Sequence, residues 1–397
     1  MKTSQQAKRI NYLDTLRGFS LLGILAVNLP WFSHNILADP AVATTADRMA
    51  VWLVAFAGQA KFFVLFSFLF GYGMAVQLER SIEDGQPLGP RYFRRLTGLF
   101  LFGLIHAVFL FLGDILICYA ILGTFLWFCR NWSIRNLLIA SAIAYFLSIP
   151  GYGLLGAISA LDAGPEWDNW LAQGDEAYLG SFWDAARQRT LDYFLFVLPI
   201  MILFNCVPVM AMFALGLAAG KARFFQSVDQ HLPLLKRLLP WTVIVGVIGN
   251  ALYATVFTDF GSNAMPASIW SGVLAMTTLA LSWPALAYSY MIGILLLERR
   301  TPAFRFLQPL RSAGHMSLTN YMSQSVLAGF VFLGWGLGFY GKVGPMGCLL
   351  LTPVIYGILI AFSSIWLRYF HNGPEEWLLR CWTYWRWQPF CKPTKTP

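Results

Sequence analysis

The chain has 397 residues, a formal net charge of +9, and 57% hydrophobic and 16% aromatic but only 12% charged side chains. Soluble domains carry about 25% charged residues, so the composition excludes a soluble globular or disordered protein. Apolar stretches of eighteen or more residues recur from end to end, which predicts an all-α, polytopic transmembrane helical bundle.

About ten spans are expected, at 16–31, 51–78, 96–113, 115–128, 137–159, 193–219, 240–257, 267–297, 316–338 and 346–367. They make a single integral-membrane domain over 1–397, with a six-span half at 1–220 and a four-span half at 221–397. The first span opens with Asp14 and Arg17, and its apolar run holds one strongly polar side chain, Asn28. Close to three whole helical turns separate Arg17 from Asn28, so the two share a face, with Asp14 beside them. Two readings stay open there: an interfacial anchor with interhelical glue, or a working polar stripe. The spans 51–78 and 267–297 exceed the roughly 20 residues a bilayer needs, so tilt, or a kink at Pro284, is expected. Lys61, early in the second span, is expected to snorkel or to pair with Asp114. Ser67, Gly71 and Gly73 follow it as small residues that permit close helix approach.

The third and fourth spans read as a hairpin joined at Asp114. His106 lies ten residues into the third span, near mid-bilayer, and two readings stay open: a histidine satisfied by a neighbouring helix, or the side chain most readily tuned as acid or base near neutral pH. Eight helical residues put it about 12 Å from Asp114, too far for a hydrogen bond unless the helix breaks. A long outer segment, 161–192, is acidic and aromatic and suits an interfacial helix or a lid. In the ninth span Ser317, Asn320 and Gln324 share one face, with Tyr321 beside them; they line a polar cavity or knit the bundle. The six cysteines show no metal-ribbon or redox spacing, and there is no Walker motif, dinucleotide-binding glycine pattern or zinc-ligand pair.

Placing the N-terminus in the cytoplasm puts all but five of the 28 Lys and Arg residues on the inner side. The exceptions are Arg48, Arg187, Arg189 and Lys342 outside, and Lys61 within a span. That bias predicts both termini cytoplasmic. It makes the basic charge a topology signal, with the lipid bilayer rather than nucleic acid as partner. The basic, apolar start imitates a signal peptide, but nine more spans follow, and it reads as a retained first helix.

The blocks LDTLRGFSLLGILAVN, KFFVLFSFLFGYG, RRLTGLFLFGLIHAVFLFLGDILICYAILG, HMSLTNYMSQS and NGPEEWLLRCWTYWRWQP together resemble the YeiB-type family. That resemblance implies a multi-pass protein of the bacterial inner membrane whose C-terminal half is a domain of unknown function. Relatives often carry Arg or Lys before the ninth-span block, where this chain has His315. The opening Asp14-x-x-Arg17-Gly18 is more distantly similar to membrane-embedded acyltransferases of the sugar O-acyltransferase and glucosaminide N-acetyltransferase types.

This second likeness implies acyl transfer from a cytoplasmic acyl-CoA co-substrate to an envelope sugar or lipid, with no bound cofactor or metal. Asn28 stands where the O-acyltransferase type has its histidine; an amide can orient a carbonyl or oxyanion but cannot act as a base. His106, with Asp114, is then the candidate for proton transfer. Arg17, Arg91, Arg94 and Arg95 would hold the donor phosphates. Asp14, Lys61, Ser317, Asn320, Tyr321 and Gln324 would line the path. The alternative is a proton-coupled transporter or flippase of a small or lipid-linked substrate, with His106 or Asp114 as the coupling group.

Overall fold

The computed structural model describes residues 11–35, 42, 44–161, 165–259, 266–300 and 307–393. Lys2, Lys8, Arg9, Arg305 and Lys395, which enter the charge asymmetry above, lie outside the described residues. The described chain is helical, with one isolated antiparallel bridge joining Phe370 to Cys391. The helices used below are α1 (Asn11–Asn28), α2 (Thr45–Ala57), α3 (Lys61–Glu83), α4 (Leu88–Ile105) and α5 (Leu116–Phe128). They continue with α6 (Ile134–Ser159), α7 (Pro165–Leu179), α8 (Phe182–Asp192), α9 (Cys206–Lys221) and α10 (Val228–Phe257). The last are α11 (Ile269–Arg300), α12 (Leu307–His315), α13 (Ser317–Phe332), α14 (Pro345–Tyr369) and α15 (Pro374–Tyr384).

Eight helical runs among the described residues are long and apolar enough to cross a membrane. The fourth and ninth expected spans correspond to α5 and α13, of 13 and 16 residues. At 1.5 Å per residue these are about 20 and 24 Å long, short of a hydrocarbon core of about 30 Å. Each is buried on one face only: Ile121, Phe125 and Phe128 of α5 and Val326 and Phe330 of α13 are exposed. Residues 182–221 form one long apolar run, from α8 through two π-helical turns into α9. The described part of the segment 161–192 therefore holds two helices, α7 and an α8 that continues into this apolar run.

Glycines set the closest crossings. A Cβ on Gly314 would stand 1.8 Å from the Asp14 carbonyl oxygen, so α12 and α1 touch backbone to backbone. Gly71 does the same for α3 and α9, with a Cβ there 2.0 Å from the Phe213 carbonyl oxygen, whereas Gly73 faces open space. Of the small residues expected to let α3 approach a neighbour, Gly71 does so. Ser67 instead hydrogen-bonds the Tyr119 hydroxyl on α5 at 2.7 Å.

The second span is broken. Ala60 adopts a left-handed conformation (φ 69°) between α2 and α3, which ends one helix and starts the next within the apolar run. The carbonyls freed by the break are met by side chains. Lys61 Nζ donates to Ala55 O at 3.0 Å, and the Tyr290 hydroxyl to Ala57 O at 3.0 Å. Lys61 is fully buried and lies over the Tyr253 ring, 5.7 Å from its centroid. It neither snorkels nor pairs with Asp114, because its reach is spent capping the C-terminus of α2.

Candidate active site within the membrane

The helix carrying His106 also breaks. After Ile105 the chain takes one π-helical turn, His106–Leu110, closed by Phe111 N–H donating to the His106 carbonyl at 2.8 Å. Phe111 is extended, and the chain reverses before α5 begins. This reversal brings together two groups that a straight helix would hold about 12 Å apart. His106 Nδ1 lies 2.9 Å from Asp114 Oδ2, with both side chains fully buried. Asp114 Oδ1 accepts the Ile117 backbone N–H at 3.0 Å, so the carboxylate also caps the start of α5. Single-turn π-bulges recur at functional sites because they re-aim a side chain at the cost of one ladder bond.

The other face of the imidazole meets α13. His106 Nε2 is 2.8 Å from Ser325 Oγ, and Ser325 is itself buried. A carboxylate accepts only, so Nδ1 carries a proton, and in the neutral imidazole Nε2 then accepts from the Ser325 hydroxyl. Hydroxyl, imidazole and carboxylate thus form one chain in the order nucleophile, base, orienter. Tyr321, one turn before Ser325, lays its ring against His106 with centroids 4.5 Å apart. Phe111 closes the opposite edge at 5.9 Å, and it stacks on Phe32 at 4.6 Å. Tyr193, in the run that follows α8, is buried beside Ala107 and Ile117, and its hydroxyl has no hydrogen-bond partner. Ser325 and Tyr193 are absent from the sequence reading. Ser325 was legible as the residue four after Tyr321, on the same helical face.

The remaining α13 candidates turn elsewhere. Asn320 Nδ2 donates to Ala313 O and to Ser363 Oγ, both at 2.8 Å, and Gln324 Nε2 donates to the Leu21 carbonyl at 3.1 Å. These two side chains tie α13 to α12, α14 and α1, so they knit the bundle rather than line a cavity. Ser317 is half-buried at the start of α13. Asn28 is the last residue of α1, half-buried, and makes no hydrogen bond to the Asp114–His106–Ser325 chain.

At the basic end, Arg17 Nη1 pairs with Asp14 Oδ1 at 3.2 Å, the i, i+3 contact their spacing allows. Arg95 is half-buried and feels the like charges of Arg17 and Arg380. It makes no hydrogen bond or ion pair among the described residues. Arg91 and Arg94 are turned onto the tail helix α15: Arg91 lies over Tyr384 and within 3.7 Å of Asp84, and Arg94 lies over Trp385. The expected basic rim therefore resolves into a cluster of Arg17, Arg95 and Arg380, with Arg91 and Arg94 holding α15. A neighbouring cluster was invisible to the sequence reading. Glu298 accepts from Thr15 and from Arg311, whose Nη2 is 3.1 Å away, and so joins α11, α1 and α12.

The tail helix also closes this end. Glu376 Oε1 accepts the backbone N–H groups of Leu318 and Thr319, at 2.6 and 3.2 Å, and so caps α13. Burial pushes the Glu376 carboxyl up to about 7, against the lowering pull of these donors. On the opposite side α8 latches the broken helix. Arg189, 2% exposed, donates to the Val108 carbonyl at 3.3 Å. Asp192 gathers Trp170 Nε1, the Tyr178 hydroxyl and Gln188 Nε2 within 3.0 Å. α7 and α8 are thus packed on the bundle and held by buried polar contacts. No group of three or more His, Cys, Asp or Glu side chains able to hold a metal ion occurs among the described residues.

The family model described as protein of unknown function (DUF418) matches residues 219–386. The chain is 34% identical over 415 residues to the uncharacterized protein YxaH of Bacillus subtilis, covering 98% of this chain and 97% of that one. It is 30% identical to an uncharacterized 39.9 kDa protein of Bacillus acidopullulyticus, covering 95% and 94%. It is 27% identical to the uncharacterized protein YeiB of Escherichia coli, covering 93% and 94%.

Proposed function

Because the chain belongs to the YeiB-like family that shares the DUF418 region, we propose, from its intramembrane Asp114–His106–Ser325 chain, that it transfers acyl groups across the bacterial inner membrane. The donor is a cytoplasmic acyl-CoA and the acceptor a hydroxyl of an envelope sugar or lipid. The observation that carries this reading is the hydrogen-bond chain itself, a serine on a histidine on a carboxylate, all three buried among packed side chains. In such surroundings fixed dipoles act at low dielectric and are worth more than in solution.

The chemistry balances in two half-reactions. Ser325 Oγ adds to the thioester carbonyl carbon while its proton passes to His106 Nε2. The C–S bond then breaks, and the thiolate leaves with that proton as free coenzyme A. In the second half an acceptor hydroxyl gives its proton to His106, attacks the acyl-serine carbonyl, and leaves as the ester while Ser325 recovers a proton. Asp114 holds the imidazole in the tautomer that accepts at Nε2 and stabilises the imidazolium formed in each half. Arg17 and Arg95 are placed to bind donor phosphates by charge-assisted hydrogen bonds. The Tyr193 and Tyr321 hydroxyls are buried donors with no hydrogen-bond partner, and the Tyr321 ring lies against His106.

Proton-coupled transport is the second reading, favoured by the two helix breaks, since transporters place broken helices at their midplane sites. Coenzyme A release separates the two. Protein reconstituted in liposomes with acetyl-CoA should release free thiol, and His106→Gln should lower that rate by roughly 10²–10⁴-fold. Equal rates in the two proteins would end the acyl-transfer reading.

A further inference from the structure

A cavity lies away from the His106 site. It is a cleft of about 410 Å³ between α10 and α11, lined by Leu232, Lys236, Leu239, Leu296 and Arg299. Its chemistry is divided. Three of its lining side chains are leucines and two are cations.

Arg299 is partly engaged, since its Nη2 pairs with Asp229 on α10. Lys236 is exposed and makes no ion pair or hydrogen bond among the described residues. Asp229 offsets Arg299, and among the described residues Lys236 adds a second positive charge that no ion pair offsets. The cleft also runs into surface that already faces hydrocarbon. Leu238, Trp241, Ile244, Val245 and Ile248 of α10 are 40%, 65%, 49%, 50% and 64% exposed along the same helix. The run begins where the polar first turns of α10 give way to apolar sequence, which is the depth of a lipid headgroup. Trp241, the most exposed of these side chains, has the amphipathic ring that marks a membrane–water interface.

We propose that this cleft is a binding site for an acidic phospholipid of the leaflet at the protein's basic end. The phosphate of the headgroup sits against Lys236 and the open side of Arg299. One acyl chain follows Leu239 and Leu296 into the cleft, and the other lies on the exposed face of α10. Basic pockets between membrane helices on the positive side are recognised in this way, by charge at the rim and apolar surface below it. The site is independent of the acyl-transfer reading, because none of its residues touches His106, Asp114 or Ser325.

The test uses full-length protein purified in neutral detergent, with phosphatidylglycerol and phosphatidylcholine as probes. Native mass spectrometry counts retained lipid, and thermal unfolding is followed with each lipid added. Wild type should retain phosphatidylglycerol in preference to phosphatidylcholine and should melt higher in its presence. Lys236→Gln should weaken phosphatidylglycerol retention roughly fivefold, the effect of one surface cation, and should leave the melting point in neutral detergent unchanged. Lys236→Arg should restore retention. Lys342→Gln, a basic residue at the far end of the molecule, should retain phosphatidylglycerol like wild type. Equal retention of the two lipids by wild type, or unchanged phosphatidylglycerol retention by Lys236→Gln, would overturn the proposal. So would displacement of the lipid by millimolar inorganic phosphate, which would make this a free-phosphate site.

Discussion

The substitution Asp114→Asn probes the buried chain most sharply. Asp114 accepts two hydrogen bonds, from His106 Nδ1 at 2.9 Å and from the Ile117 N–H at 3.0 Å. Asparagine keeps the shape but offers a single acceptor oxygen. If that oxygen stays on Ile117, the new NH₂ faces Nδ1, which must then accept. The imidazole proton moves to Nε2 and points at Ser325, so the serine can no longer pass its proton to the ring. Exchanging a charged for a neutral hydrogen bond costs about 1–2 kcal/mol, so the variant should fold and melt slightly lower. Its activity should fall on the order of 10⁴-fold, the effect of locking a triad histidine in the wrong tautomer. Asp114→Ala is less informative, because it leaves two buried donors unpaired at about 1–3 kcal/mol each and threatens the fold itself. The assay pairs a melting curve with coenzyme A release in liposomes. A folded Asp114→Asn protein with wild-type turnover would refute the tautomer argument.

Four further outcomes are expected. Arg17→Ala and Arg95→Ala should each weaken coenzyme A binding by calorimetry without unfolding the protein, and unchanged affinity in both would remove the arginine cluster from the donor site. Gly314→Ala should lower the melting point, because its Cβ would meet the Asp14 carbonyl oxygen at 1.8 Å and overpacking typically costs 1–3 kcal/mol or more; a neutral result would contradict the backbone contact. Glu376, held at about 7 in the fold against an ordinary value of 4.5, adds stability that is fully present below pH 4.5 and is lost as pH rises through about 7. Protection of α15 in hydrogen exchange should fall over that window, and Glu376→Gln should flatten the dependence. Reporter fusions at Gly174 and at Pro397 should lie on opposite sides of the membrane; agreement between them would break the ten-span topology.

Much of the helical layout was legible because apolar run length depends on composition, which the sequence carries directly. His106 and Asp114 were legible by residue type, since ionisable groups are costly inside an apolar run. Their contact was not. It depends on the π-helical turn and the extended Phe111, and the apolar run 107–113 reads as plain helix. Ser325 was passed over because the polar row drawn through Ser317, Asn320 and Gln324 followed a neighbouring face of the same helix. Lys61 was misread for a related reason. Nothing in Gly58-Gln59-Ala60 announces the left-handed Ala60, and with it the break that frees the Ala55 carbonyl for Lys61. The Thr15–Glu298–Arg311 cluster joins α1 to the consecutive helices α11 and α12 at the far end of the chain, and local spacing carries no trace of such a meeting.

The central claim is that Ser325 carries the acyl group, activated by His106. Mass spectrometry of the Ser325 peptide, after brief exposure of reconstituted protein to isotope-labelled acetyl-CoA without acceptor, tests it most directly. The account predicts a labelled acetyl ester on Ser325 that hydroxylamine removes and that His106→Gln fails to form. An unlabelled Ser325 in protein that still releases coenzyme A would contradict it.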